Sequence, residues 1–124
     1  MKETLISFCI VNLNAKNHLI SCLKSISIST KYDFFEIIVV DNNSNDGSID
    51  LLRHQYPEVK LIINLRNYGY TKAINQALRL SKGKYKVVLN PDTELMPKSI
   101  DIMINHMKSS KNIGIVGPKV LNMD

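Results

Sequence analysis

The chain reads as an α/β protein built on a mostly parallel sheet with helices on both faces. Three observations predict this. Five short apolar runs rich in strand formers punctuate the sequence. Amphipathic stretches with helical spacing lie between them. The two kinds of segment alternate without a break, which implies right-handed crossovers between parallel strands.

The first run is Leu5-Ile6-Ser7-Phe8-Cys9-Ile10-Val11. The next are Glu36-Ile37-Ile38-Val39-Val40, Val59-Lys60-Leu61-Ile62-Ile63, Tyr85-Lys86-Val87-Val88-Leu89 and Ile113-Gly114-Ile115-Val116. Runs this short and this apolar suit strands buried on both faces. Leu19, Leu23 and Ile26 recur at helical spacing after the first run. Ile49, Leu51 and Leu52 make a shorter helix that Tyr56-Pro57 ends. Ala73, Ile74, Ala77 and Leu78 form one face of a third helix, closed near Ser81-Lys82-Gly83. Ile100, Met103, Ile104 and Met107 mark a fourth, and its methionines read as core packing. No linker, repeat or low-complexity tract interrupts the series.

Composition narrows the class. The 124 residues suit one domain, and 44% apolar with 22% charged residues exclude disorder, collagen and coiled coil. Two cysteines cannot make a disulfide scaffold, and Cys9 and Cys22 read as buried small hydrophobes. The net charge of +5 suits anionic partners without choosing among nucleotides, nucleic acid and an acidic membrane face. The run from Leu5 to Leu13 is too short and polar for a signal segment. No stretch approaches the ~18 consecutive apolar residues of a membrane span. A cytoplasmic chain with reduced thiols is the expectation.

In such sheets ligands bind outside the carboxyl ends of the strands, where strand order reverses. Polar clusters stand at four of those ends: Asn12-Leu13-Asn14, then Asp41 through Ser48, then Asn64 through Tyr70, then Asn90-Pro91-Asp92-Thr93-Glu94. Singly, each has a plain local use. Ser44, Asp46 and Ser48 can cap a helix, Gly47 and Gly69 can turn, and Asn90-Pro91-Asp92 can open the next segment. Together they converge on one rim. Asp92 directly follows a buried strand and can hold a divalent cation, since Mg²⁺ takes only one or two protein carboxylates and fills its shell with water and phosphate. Asp41 is placed equivalently on the second strand and can accept from a nucleobase or ribose. The dinucleotide-binding glycine fingerprint, the P-loop and the nucleophile elbow are all missing. His18, His54 and His106 have no paired spacing for zinc.

On these residues the chain, from about Ser7 to Asp124, resembles the inverting glycosyltransferase family 2, of the GT-A fold. Ser7 through Asn14 resembles its opening strand, with Leu13 where an aromatic is usual. Ile38-Val39-Val40-Asp41-Asn42-Asn43-Ser44-Asn45-Asp46-Gly47-Ser48 is similar to its second-strand motif. Asn67-Tyr68-Gly69-Tyr70 with Asn75, Leu89 through Thr93, and Ile115 through Lys119 resemble its later segments. The resemblance implies that Val11, Asn12 and Asn14 line the base and ribose pocket. It implies that Asp41 and Asn42 meet the pyrimidine edge and ribose, and that Asn67, Gly69 and Tyr70 lie beside the diphosphate and base. Asp92 matches the last Asp of the Asp-x-Asp motif and would hold Mg²⁺ or Mn²⁺, while Asn90 replaces the first. Asn-Pro-Asp is similar to the branch transferring rhamnose, galactofuranose and related sugars in bacterial surface polysaccharides, with dTDP-rhamnose the leading donor.

The implied chemistry is inverting displacement at the anomeric carbon of a UDP- or dTDP-linked sugar by a hydroxyl of a saccharide or lipid-linked acceptor. No residue of this chain matches the family's base, so the catalytic position stays unassigned. Residues 1–124 are therefore expected to be the donor-binding part of a truncated GT-A fold, with the acceptor-binding part absent and little transferase activity alone. Apolar area near the fourth and fifth strands is expected to face solvent or self-associate. The basic residues are spread, with Lys82-Gly83-Lys84-Tyr85-Lys86 the densest group. A diphosphate donor, and a peripheral position on an anionic membrane, account for the charge better than nucleic acid. A non-catalytic nucleotide-binding or scaffold fragment is the alternative. A receiver-like domain would need an acidic pair after the first strand, where Asn12 and Asn14 stand.

Overall fold

The computed structural model describes residues 4–122. In chain order the elements are β1 (Ile6–Asn12), α1 (Lys16–Ser29), β2 (Phe35–Asp41), α2 (Ser48–Gln55), β3 (Lys60–Ile63), α3 (Tyr70–Leu80), β4 (Tyr85–Leu89) and α4 (Ser99–Lys108). The sheet is parallel, in the order β3-β2-β1-β4. The chain steps outward from β1 to β3, crosses back by α3 and adds β4 on the other side of β1. Strand order therefore reverses between β1 and β4.

Residue alternation along β1 explains the two layers. Ile6, Phe8 and Ile10 face a core with Leu19, Cys22, Leu23 and Ile26 of α1, Leu52 of α2, and Ile100 and Ile104 of α4. Cys9 and Val11 face the other way, with Ile38 and Val40, onto Ala73, Ile74 and Ala77 of α3. Small residues on α3 let the crossover helix lie close to the sheet. Helices thus cover both faces, as the alternation predicts.

Two expectations need correction. Burial on both faces holds for β1 throughout and for most of β2, but β3 and β4 are half-exposed. They are the sheet edges, and each lacks a second neighbour among the described residues. The fifth strand, over 113–116, does not form. Residues 113–122 join no ladder, and Ile115 and Val120 are 92% and 86% exposed. A four-residue run with Gly114 inside and Gly117-Pro118 after it has weak intrinsic preference for a strand and needs a partner to become one. Val88 on β4 is half-exposed as well, so the expected apolar exposure in this region is present.

The amino ends of the strands are tied together by one carboxylate. Glu36, near the start of β2, accepts from Ser7 Oγ of β1 at 2.5 Å, Lys60 Nζ of β3 at 2.6 Å and the Lys82 amide before β4 at 2.6 Å. Burial opposes its charge, but these donors hold its pKa at about 2. Beside it the Gly83 amide donates to Ser7 Oγ at 2.8 Å. A Cβ at Gly83 would stand 2.6 Å from the Ser7 backbone nitrogen, so only glycine fits this approach.

Candidate functional site

The parallel register brings the carboxyl ends to one rim. Asn12 is paired with Asp41, and Asp41 with Ile63. The backbone continues the pairing by one step: the Asn42 amide donates to the Asn12 carbonyl and the Asn64 amide to the Asp41 carbonyl, both at 2.9 Å.

Side chains then interlock. Asn12 Nδ2 donates to Asp41 Oδ2 at 2.8 Å and to Ser44 Oγ at 3.2 Å. Asp41 Oδ1 accepts the Ser44 amide at 2.7 Å. Ser44 Oγ accepts the Asn14 amide at 2.9 Å, and Asn14 Oδ1 accepts the Asn45 amide at 2.8 Å. Asn14 and Asn43 take left-handed backbone, which asparagine tolerates better than most residues. Asp46 Oδ2 accepts the Lys16 amide at 2.8 Å, and Asp46 Oδ1 binds Ser48, so one carboxylate joins the starts of α1 and α2. Burial works against its charge, but the Ser48 hydroxyl and these amides hold the carboxyl below its usual range.

Asp41 is fully buried and Asn42 nearly so. Asn42 Oδ1 accepts from Asn64 Nδ2 at 2.9 Å, and Asn42 Nδ2 donates to the Gly69 carbonyl at 3.3 Å. Asn64 is paired in both directions with Gln76 of α3, at 2.8 and 2.9 Å. Both side chains expected at a base edge are thus committed to the protein and form the floor of the rim. Asn64 and Gln76 belong to that floor too. Asn64 stands in the polar cluster after β3, while nothing in the helical pattern of α3 marks Gln76. Asn12 Oδ1 has no partner despite complete burial. Such an orphan acceptor is costly and needs a reason.

Asn67, Gly69 and Tyr70 lie on the α3 side. Asn67 Oδ1 accepts the Gly69 amide at 2.8 Å, and Gly69 takes φ 84° and ψ 164°, a conformation reserved for glycine. An open cleft of about 730 Å³ follows, lined by Tyr68, Gly69, Tyr70, Lys72, Asn75 and Arg79. Arg66 and Lys72 both stand over the Tyr68 ring. The cleft gathers Gly69, Tyr70 and Asn75 but not Asn12, Asp41 or Asp92. Val11 is buried under α3, so only its backbone can serve a ligand.

Asn90 and Asp92 lie across the order reversal, beyond β4. The Thr93 amide donates to the Asn90 carbonyl at 3.1 Å, closing a turn with Pro91 and Asp92 at its centre. Asp92 and Glu94 are exposed. Burial, with a lesser contribution from these two charges, raises the Cys22 thiol to a pKa of about 12. No group of three or more His, Cys, Asp or Glu gathers as a metal cluster among the described residues. An exposed carboxylate on a hydrogen-bonded turn fits a hard cation that brings most of its ligands with it.

The sequence and the fold match those of known proteins. Residues 7–122 match the model of glycosyl transferase family 2. The chain is 28% identical over 120 residues to an uncharacterized glycosyltransferase of Methanocaldococcus jannaschii, covering 94% of this chain and 41% of that protein. It is 28% identical over 118 residues to the N-acetylglucosaminyl-diphospho-decaprenol L-rhamnosyltransferase of Mycobacterium tuberculosis, covering 86% and 38%. The chain thus spans about two-fifths of these relatives' length. Its fold matches S. aureus TarS in complex with UDP at a TM-score of 0.77 and 18% identity, over 95% of this chain and 38% of that one. It also matches the mannosyltransferase PcManGT from Pyrobaculum calidifontis in complex with GDP-Man and Mn²⁺, at 0.68 and 22%, over 79% and 30%. From the motif order, the strand-end rim and the match over nearly its whole length, the chain belongs to glycosyl transferase family 2.

Proposed function

We propose that this chain is the donor-binding part of an inverting glycosyltransferase, taking a UDP- or dTDP-linked sugar at the carboxyl rim of its sheet. The observation that carries the reading is the buried network joining Asn12, Asp41, Asn42 and Asn64, with an orphan acceptor at its centre. A connecting loop has no use for so much desolvated polarity. In this reading Asp41 and Asn42 shape the base and ribose pocket from beneath, with the Asn42 amide held by Asn64 and the Gly69 carbonyl. Val11 and Asn14 contribute backbone and side-chain groups at the pocket wall. Asn67, Gly69 and Tyr70 border the diphosphate side, where Lys72 and Arg79 add positive charge. Asn90 and Asp92 stand on the far side of the order reversal.

Asp92 would hold Mg²⁺ or Mn²⁺ against the diphosphate, and a cation bound there supplies charge neutralisation to the leaving group. The acceptor, a saccharide or lipid-linked saccharide, and the base that takes its proton belong to the whole protein. The TarS–UDP complex and the rhamnosyltransferase relative support a nucleotide-sugar donor and a surface-polysaccharide role. No helix among the described residues is long and apolar enough to cross a membrane.

Titration calorimetry with UDP and dTDP, with and without Mn²⁺, tests the reading. Binding should tighten with Mn²⁺ in the native chain and lose that gain in Asp92→Ala. Metal-indifferent binding would favour a nucleotide-binding scaffold instead.

A further inference from the structure

We propose that Cys22 and Ser25, one turn apart on α1, are positioning residues that hold the Asp92 turn in place for a divalent cation. The inference rests on the metal role given to Asp92 above.

The segment carrying Asp92 is irregular between β4 and α4, yet it is fastened at two points. At its start the Asn90 carbonyl accepts the Thr93 amide and the Cys22 thiol, with Sγ 3.7 Å away. At its end the Leu95 amide donates to Ser25 Oγ at 2.9 Å. Ser25 Oγ in turn donates to the Cys22 carbonyl at 2.7 Å, so both fastenings share one helical turn. Cys22 is fully buried and Ser25 is 7% exposed. Asp92 and Glu94 lie between the two anchors and reach solvent.

The chemistry suits holding rather than reacting. Burial keeps the thiol protonated, so it is a permanent donor and a poor nucleophile. Serine inside a helix costs propensity relative to alanine and is expected to have a use there. Ser29, one turn on, provides an internal comparison. It is buried and makes the same kind of bond, to the Ile26 carbonyl at 2.7 Å, but no bond from its hydroxyl reaches the Asp92 segment.

A carboxylate held for a cation binds it better than one that must be ordered first, and outer-shell partners of metal ligands are worth about 10- to 100-fold in affinity. The test uses the 124-residue chain with Ser25→Ala and, as control, Ser29→Ala. Amide hydrogen exchange follows residues 93–95, and calorimetry compares UDP affinity with and without Mn²⁺. In Ser25→Ala, exchange at Leu95 should quicken and the Mn²⁺-dependent gain should fall about tenfold, with metal-free UDP affinity unchanged. Ser29→Ala should leave both as in the native chain. The proposal is overturned if the loop loosens without loss of the Mn²⁺ gain, if Leu95 exchange is unchanged, or if Ser29→Ala has the same effect. A native chain whose UDP binding ignores Mn²⁺ would overturn the metal role of Asp92 itself, and this inference with it.

Discussion

The two ends of the same four strands are both rich in polar groups, but they are built differently. At the amino end every partner is satisfied: Glu36 accepts from three elements at once, and Gly83 closes onto Ser7 with no space to spare. At the carboxyl end the network is just as dense, yet Asn12 Oδ1 is left unpaired and two asparagines adopt left-handed backbone. Saturated polarity is a device for stability. Polarity left incomplete suits the proposed donor site, in which stability is traded for binding.

Substitutions at four positions, ordered by expected cost, test this contrast. Gly83→Ala should be the most damaging, at about 3 kcal/mol, because backbone atoms of β1 must move. Urea unfolding reads this loss directly. Glu36→Ala should cost about 2 kcal/mol, since it strips a charged acceptor from three donors. Glu36 also predicts a pH dependence. Its folded pKa lies below the ordinary 4.5, so its contribution is complete above that value and is lost as pH falls toward about 2. Unfolding curves of the native chain and Glu36→Gln should therefore converge across that interval.

The carboxyl-end variants should invert the pattern. Asn12→Ala should cost about 1–2 kcal/mol, because it leaves the buried Asp41 Oδ2 without its donor while also removing an orphan acceptor. Its UDP affinity, measured by calorimetry, should drop about tenfold, which corresponds to ~1.4 kcal/mol. Asp92→Asn should fall within about 0.5 kcal/mol of native stability, as exposed positions do, while losing the Mn²⁺ effect on UDP binding. A large stability loss from either, with binding intact, would place the carboxyl rim in the same structural class as the amino end.

The regular elements were legible because each announces its own period. Ile6, Phe8 and Ile10 alternate, and Leu19, Leu23 and Ile26 keep helical spacing, so local pattern and tertiary burial agree. The rim was legible too, since parallel strands deliver their ends to one side. The run at 113–116 misled because a strand is completed by a neighbour, which a short glycine-broken run does not supply. Glu36 was hidden as the first residue of an apolar run, where nothing local announces three donors from other elements. Gly83 read as a helix stop, although its constraint comes from Ser7, far away in sequence. Gln76 and Ser25 carry no local mark at all, and Cys22 reads only as a buried small hydrophobe. Their partners are loop backbone or an asparagine on another element, and only the folded geometry introduces them. Asp41 and Asn42 were found as residues, but their burial was not, because depth beneath a rim has no periodicity.

The pairing of β1 with β4 also has a consequence for how the chain is made. Ile6 meets Tyr85, a contact spanning roughly 80 residues, and such distant pairings slow folding. During synthesis at about 5–20 residues per second, β1 therefore waits on the order of 4–15 s with its second edge bare. Over that stretch of synthesis the nascent chain carries a strand destined for complete burial with one edge unpaired, a window in which a chaperone or a neighbouring copy can reach it first.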